Sequence, residues 1–397
     1  MNPERFRDSK SGQVIQVGKG KTAYWAFVPH PLPPNIPPDW GLTRALSEAD
    51  RALSELAGLG RTMPNPHLLI GPFVRREAVL SSRIEGTQAD ITDLYAYEAG
   101  QLPQPGAEMH PPESDVREVL NYVNALEYGL KRLNTLPVSL RLMRELHERL
   151  LAGVRGEHAT PGEFRRAQNW IGPPGCTLNE ATFVPPPVPQ MHEALDALEK
   201  YLHSDDVYPP LLRLALVHYQ FEAIHPFVDG NGRIGRLLLS LLLVQWGLLP
   251  LPLLYLSAYF YRHRQAYYDL LLAVSERGDW HDWLLFFLRG VAEQAEDATT
   301  RAKKLQDLQE EWRTRLAQAR TSALALRLAD SLFANPILTI PQAQRLLQVG
   351  SYHSARKNVE KLVSAGILHP AEETTYGKTY MAIEILRIIH DEFQDTE

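Results

Sequence analysis

The 397-residue chain holds a single cysteine, Cys176, which rules out an intramolecular disulfide and a cysteine-rich zinc site. Nor does it carry excess basic charge. Its 41 Lys and Arg stand against 47 Asp and Glu, a formal charge of −6, so nucleic acid or an anionic membrane would need a local patch. The opening segment MNPERFRDSKSG lacks the apolar core of a secretory signal. Uncharged sequence does run from Leu237 to Leu256, but Gly247, Pro250 and Pro252 interrupt it. That run reads as a buried helix ending near Gly247 and then an apolar loop, not as a membrane span. Together these absences lead us to expect a cytoplasmic protein. Internal repeats and low-complexity tracts are missing as well.

What is present is helical periodicity, so the chain is expected to be mainly α. PHPLPPNIPP, at Pro29–Pro38, reads as an extended arm. Helical patterns begin near Leu42 and resume around Pro72, through REAVLSSRIEG at Arg76–Gly86. A proline-rich loop at Gly100–Glu113 follows, and then a capping box of Asp115 with Glu118 opens the next helix. Helical patterns dominate to about Ala295, except at Asn169–Pro187. There Trp170-Ile171 and Phe183-Val184 are β-compatible runs around a turn-rich centre, the pattern of a hairpin. A charged helical stretch covers Ala292–Asp330. Beyond it, Ile340–Leu347, Ser351–Ala365 and LHPAEETTYGKTYMA suggest two short helices and a β-wing, a winged-helix arrangement. The expected divisions are therefore an N-terminal region at 1–114, a helical core at 115–295, a linker helix at 296–334 and a winged helix at 335–397.

The segment from His225 to Arg236, HPFVDGNGRIGR, carries the chemistry. His225-Pro226 breaks an apolar helix, and helical pattern returns at Arg233, so Asp229-Gly230-Asn231-Gly232 falls at a helix N-terminus. Unpaired N–H groups and the helix dipole make such a place an anion site. Gly230 and Gly232 permit close approach of a phosphate and the positive φ of an anion-binding nest. Arg233 and Arg236 supply forked donors for phosphate oxygens, Asn231 a further donor, and Asp229 a hard oxygen ligand for Mg²⁺. His225 is placed to take a proton from an attacking hydroxyl. Separately, Asp-Gly-Asn-Gly is an ordinary turn and two arginines three apart are an ordinary solvated face. In this order, at a helix start, they make one phosphate site.

HPFVDGNGRIGR resembles in full the HPFx[D/E]GNGRxxR signature of the Fic family. Tyr24-Trp25, GEFRRAQNWIG (Gly162–Gly172), FVPPP and YFYRHRQAYYDLL (Tyr259–Leu271) extend the likeness over roughly the first three quarters of the chain. The resemblance implies a Fic-type helical core that transfers AMP from ATP to a hydroxyl of a target protein or of itself. It makes His225 the general base and Asp229 the Mg²⁺ ligand. Asn231, Arg233, Arg236 and the N–H groups around Gly230 and Gly232 become the phosphate site. The hairpin becomes a flap on which a target segment adds as a strand, through Trp170, Ile171, Phe183 and Val184. Tyr267 and Tyr268 either line the adenine or pack their helix, and Ser275 falls near where some relatives place an asparagine against the base. De-AMPylation, or transfer of another nucleotide or phosphate, is the alternative reaction on the same fold.

SSRIEG, Ser81–Gly86, is similar to the family's inhibitory signature [S/T]xxxE[G/N], here N-terminal to the core. Read from the residues alone, Glu85 is a solvated carboxylate in the last turn of a helix that ends at Gly86. By the resemblance Ser81, Glu85 and Gly86 form an inhibitory motif in which Glu85 pairs with Arg236. Of the remaining histidines, His218 reads as a packed core residue and His263 as helix surface. The winged helix raises a DNA-binding regulator as a different class of function, with Arg356, Lys357 and Lys361 facing phosphate. Against it, residues 335–397 hold six Lys and Arg to eight Asp and Glu. Protein docking or homodimerisation is the competing role for that module.

Overall fold

The computed structural model describes residues 1–62, 67–100, 111–154, 158–205, 207–371 and 378–390. The chain condenses into two units, Met1–Glu55 with Asn121–Ala295, and Leu56–Leu120 with Glu296–Glu397. These are not the expected divisions, because the first 114 residues contribute to both units. The boundaries fall inside three long helices, α1 (Trp40–Thr62), α4 (Glu113–Arg132) and α11 (Trp280–Gln318). The linker helix expected at 296–334 is correspondingly not one element. Most of it continues α11, and a separate helix, α12 (Ala323–Ser331), follows.

The first unit is built on α7 (Pro210–Ile224) and α8 (Asn231–Gln245). Both are buried on nearly every side, as helices apolar all round must be. α5 (Leu140–Leu150), α6 (Val188–Leu202), α9 (Ser257–Arg262) and α10 (Arg264–Arg277) complete the helical set. Proline at the start of α7 gives up an N–H that a first turn leaves unpaired anyway. Trp283 anchors α11 to α7, its indole N–H donating to the Ala215 carbonyl at 3.0 Å. As expected, the apolar run after α8 folds as loop: α8 stops at Gln245, Gly247 turns the chain at φ 70°, and Leu249, Leu253 and Leu254 are buried. No helix among the described residues is long and apolar enough to cross a membrane.

One element was not legible in the sequence. Gly12–Val17 (β1) and Tyr24–Pro29 (β2) pair antiparallel, from Gly12 opposite Pro29 to Val17 opposite Tyr24. The proline arm thus begins as the last residue of a strand. The hairpin expected at Asn169–Pro187 forms only one bridge, Ile171 opposite Phe183, with N–H···O distances of 2.9 and 3.0 Å. Its other side is taken by β2, since the Phe27 N–H donates to the Val184 carbonyl at 2.8 Å.

In the second unit, α2 (His67–Ile84) starts before Pro72 rather than at it. A capping box of Asp90 and Asp93, at 2.8 and 2.9 Å, opens α3 (Ile91–Glu98). The box expected at Asp115 does not form, because α4 begins two residues earlier, behind Pro112. That proline's carbonyl takes the Asp115 and Val116 N–H groups, and the Asp115 carboxylate accepts the Gln88 N–H at 2.9 Å. The C-terminal part has the winged-helix pattern. α12 is followed by β3 (Ile337–Thr339), α13 (Ile340–Leu347), α14 (Tyr352–Ser364), β4 (His369–Pro370), β5 (Thr379–Met381) and α15 (Ile383–Ile389), with sheet order β3-β5-β4. The tip of the expected wing, 372–377, lies outside the described residues, as does most of the proline-rich loop at 101–110. On α14, Arg356 pairs with Glu360 at 2.7 Å and Lys361 donates to Ser322 Oγ at 3.2 Å. Two of the three cations assigned to DNA phosphate are therefore engaged within their own unit.

Candidate active site

The site starts where α7 stops. His225 takes the left-handed conformation, φ 48° and ψ 61°, while its N–H still donates to Phe221 O at 3.0 Å. Its ring Nδ1 lies 3.2 Å from the Glu222 carbonyl. A carbonyl can only accept, so Nδ1 carries a proton, and proton exchange at this ring falls to Nε2. The loop that follows is tied down by side chains. Asn231 accepts the Phe227 N–H at 2.8 Å through Oδ1 and donates to the Phe227 carbonyl at 2.9 Å through Nδ2. That clasp engages Oδ1 and one of the two N–H donors of the amide, so Asn231 holds the loop in shape.

A second clasp comes from His147 on α5, fully buried on the stripe of Met143, Leu146 and Leu150. It accepts the Gly162 N–H at Nδ1 and donates from Nε2 to the Asp229 carbonyl, both at 3.0 Å. Its ring stacks on Phe227 with centroids 3.8 Å apart. Burial, aided by the Arg233 charge, pushes its pKa down to about 4. Neither this histidine nor the buried Arg165 was singled out from the sequence. For His147 the available signal was a polar residue on an apolar helical stripe.

At the far end of the loop Gly230 caps α8 with φ 79°, a conformation that costs any residue with a Cβ. Gly232 differs from expectation, since it lies in the first turn with ordinary helical backbone. Another glycine of the motif matters more. A Cβ on Gly235 would collide with the Glu222 carboxylate and sit 3.3 Å from the Phe221 ring, so it sets how closely α8 approaches α7. Arg233 and Arg236 are each only 2% exposed, which removes the solvated-face reading. The two buried guanidiniums belong to the first turns of α8, where the helix dipole adds positive potential. Asp229 stands beside this helix start, half-exposed, accepting the Gly230 N–H at 2.6 Å with Arg233 Nη2 3.9 Å away. Among the described residues no group of three or more His, Cys, Asp or Glu is placed to hold a metal. One accessible carboxylate next to an anion pocket fits Mg²⁺ that takes its other oxygens from phosphate and water.

Comparison with known proteins bears on this geometry. Residues 137–243 match the Fic/DOC family, and residues 43–131 match the Fic/DOC family N-terminal region. Residues 137–243 are a Fic domain. Over 174 residues it is 31% identical to a protein of Aedes aegypti named protein adenylyltransferase Fic, which takes in 42% of this chain and 31% of that protein. The Drosophila virilis protein of the same name is 32% identical over 174 residues, 42% of this chain and 32% of the other. The chain thus spans about a third of the length of the curated relatives it matches. A crystal structure of a Fic family protein from Desulfovibrio desulfuricans shares the fold, with a TM-score of 0.56 at 17% identity over 88% of this chain and 98% of that one.

Several expected residues of the Fic domain are placed elsewhere than assigned. Tyr267 is 1% exposed, stacks on Phe260 and shares a hydrogen bond of 2.8 Å with His218 Nε2, so its ring packs the core and does not line a base. His218 is the packed histidine the sequence suggested. Burial, with Arg236 adding to it, pushes its pKa down to about 3. Tyr268 is exposed on the next position of α10, with the Arg264 guanidinium over its ring. Ser275 is buried against the Tyr219 hydroxyl at 2.9 Å and does not face a nucleotide. His263 lies on the surface between α9 and α10. On the flap, Trp170 and Ile171 are exposed, whereas Phe183 and Val184 are buried, Phe183 against Phe6 and Phe27. Only the first pair presents side chains at the surface; the second mounts the segment on its unit.

In the other unit Ser81 is buried inside α2. That helix ends at Ile84, two residues short of the expected Gly86. Glu85 is exposed in the following turn, its N–H on Ser82 O at 3.0 Å, and Gly86 has φ 100°.

Proposed function

We propose that this Fic domain transfers AMP from ATP to a hydroxyl side chain of a protein, the chain itself included, and that Glu85 restrains the reaction. One observation carries the reading. A histidine whose Nδ1 is tied to a main-chain carbonyl stands one short, clasped loop away from a helix N-terminus that holds two buried arginines. The relatives named protein adenylyltransferase supply the reaction class.

In this scheme the α8 N–H groups, Arg233 and Arg236 bind the phosphates and keep the α-phosphorus in line with the attacking oxygen. The target segment lies along the flap beside Trp170 and Ile171. His225 Nε2 accepts the hydroxyl proton as the oxygen–phosphorus bond forms, and the bond between the α-phosphorus and its bridging oxygen breaks to release pyrophosphate. Such a base contributes on the order of 10²–10⁴ in rate. Mg²⁺ at Asp229 would neutralise charge on the phosphates. Glu85 competes with the γ-phosphate for Arg236, since an arginine engaged by a carboxylate cannot also clamp phosphate, and the carboxylate repels the triphosphate.

Incubation with ATP labelled at the α- or γ-phosphate tests the reaction. Protein-bound label from the α position alone, lost in His225→Ala, is the expected result. Label from γ would make the protein a phosphotransferase, and removal of pre-formed AMP adducts would favour the hydrolytic alternative. Glu85→Gly should raise adduct formation by about tenfold or more, the scale on which misalignment of a reacting group is felt. Equal adduct yields from the two proteins would dismiss restraint by Glu85.

A further inference from the structure

His225 holds a backbone conformation that a non-glycine residue seldom takes, φ 48° and ψ 61°. In it the Cβ crowds the following carbonyl, and a proline next in sequence narrows the choices further. Such a conformation persists only where the surroundings over-determine it. Here the agents can be named. The His225 carbonyl accepts from Arg165 Nε at 3.0 Å and from Asn169 Nδ2 at 3.3 Å. The Pro226 carbonyl accepts the Arg165 main-chain N–H at 2.9 Å, and the Phe227 carbonyl accepts Asn169 Nδ2 at 2.8 Å. Three successive carbonyls of the His-Pro-Phe segment are thus oriented by two residues.

The same guanidinium reaches further. Arg165 Nη1 donates to the Ala167 carbonyl at 3.3 Å, and Nη2 donates to the Pro186 carbonyl. Ala167 and Pro186 bracket the segment that carries the Ile171–Phe183 bridge. Arg165 is 1% exposed, and its guanidinium donates to carbonyl oxygens alone. Burial lowers its pKa to about 10, which still leaves it charged at neutral pH. Burying a charge among neutral acceptors is costly, and only a planar fork can serve three carbonyls at once.

We propose that Arg165, assisted by Asn169, is a positioning residue that sets the direction of the His225 ring and locks it to both ends of the flap, so that the base and the bound target hydroxyl keep one register. The inference rests on the reading of His225 as base and extends it. Arg165 makes no hydrogen bond to the phosphate loop between Gly230 and Arg236, so its loss should act on rate and not on nucleotide affinity.

Two variants test this, Arg165→Lys, which keeps the charge but not the fork, and Asn169→Ala. Asn169 is only half-buried, so the second variant keeps the test decisive if the first fails to fold. We expect kcat for adduct formation to fall about 10²-fold in Arg165→Lys and about 10-fold in Asn169→Ala, the scale of a displaced reacting group. The ATP dissociation constant, measured by calorimetry, should stay within about threefold of wild type. Crystal structures of the variants should show His225 relaxed to negative φ. Unchanged kcat, a parallel loss of kcat and ATP affinity, or His225 still left-handed in both variants would overturn the proposal. Should the wild-type protein form no adduct, the functional reading falls, and the backbone angle alone still decides whether Arg165 and Asn169 hold His225 in place.

Discussion

His218 gives a sharp test of the packing around the site. Its ring stacks among Phe260, Tyr267 and Trp283 with centroids 5.7, 5.9 and 6.0 Å away, and its pKa is pushed down to about 3 from the ordinary 6.5. Because the folded value is the lower one, the unfolded chain takes up a proton that the folded chain refuses. Stability is therefore whole above pH 6.5 and is lost progressively as pH falls toward 3. At pH 5 the unfolded imidazole is almost fully protonated and the folded one almost fully neutral, a loss of about 2 kcal/mol relative to pH 8. His147, lowered to about 4, loses stability over the same range, but it does so in both proteins and cancels in their comparison. Urea unfolding at pH 8, 7, 6 and 5 should be compared between wild type and His218→Phe, which keeps an aromatic ring and cannot titrate. The variant begins lower at pH 8, since the Tyr267 hydroxyl loses its partner at about 1–3 kcal/mol. Across the window, though, it should lose about 2 kcal/mol less than wild type. Parallel curves would refute the assignment of a neutral, buried His218.

Other perturbations follow from the same geometry. Gly230→Ala places a Cβ at φ 79°, where nearby atoms leave it room but the backbone does not, so it should cost about 1–2 kcal/mol in denaturation and weaken ATP binding in a titration. Phe27 lies between Phe6 and Phe183, with ring centroids 5.6 and 5.8 Å away, and Phe27→Ala should cost about 3–5 kcal/mol while loosening the flap to hydrogen exchange. Chelation of Mg²⁺ should abolish adduct formation and readdition restore it, with Asp229→Ala unresponsive; activity that persists in EDTA would remove the metal from the scheme.

Much of the site is local, and so was legible in the sequence. A helix broken by His225-Pro226, a glycine at a helix cap and arginines in the first turns follow from propensity and spacing within twelve residues, and they appear where the pattern put them. The helices of the winged-helix part, Ile340–Leu347 and Tyr352–Ser364, were readable for the same reason. What spacing cannot report is which side chains meet across long stretches of chain. That is why Tyr267 and Ser275 looked like a nucleotide pocket and are packed away, and why Asn231 turned out to clasp Phe227. It is also why half of the flap, Phe183 and Val184, faces inward against a strand more than 150 residues earlier in the chain. The motif by itself determined which groups the His225–Arg236 segment brings together: a histidine after a helix break, a glycine at a helix start and two arginines in its first turns. Only the tertiary structure decided how that segment is held. Its left-handed histidine and its carbonyls are oriented by His147, Arg165 and Asn169, residues 56 to 82 positions away in sequence, and a strained loop keeps its shape only when distant groups satisfy it.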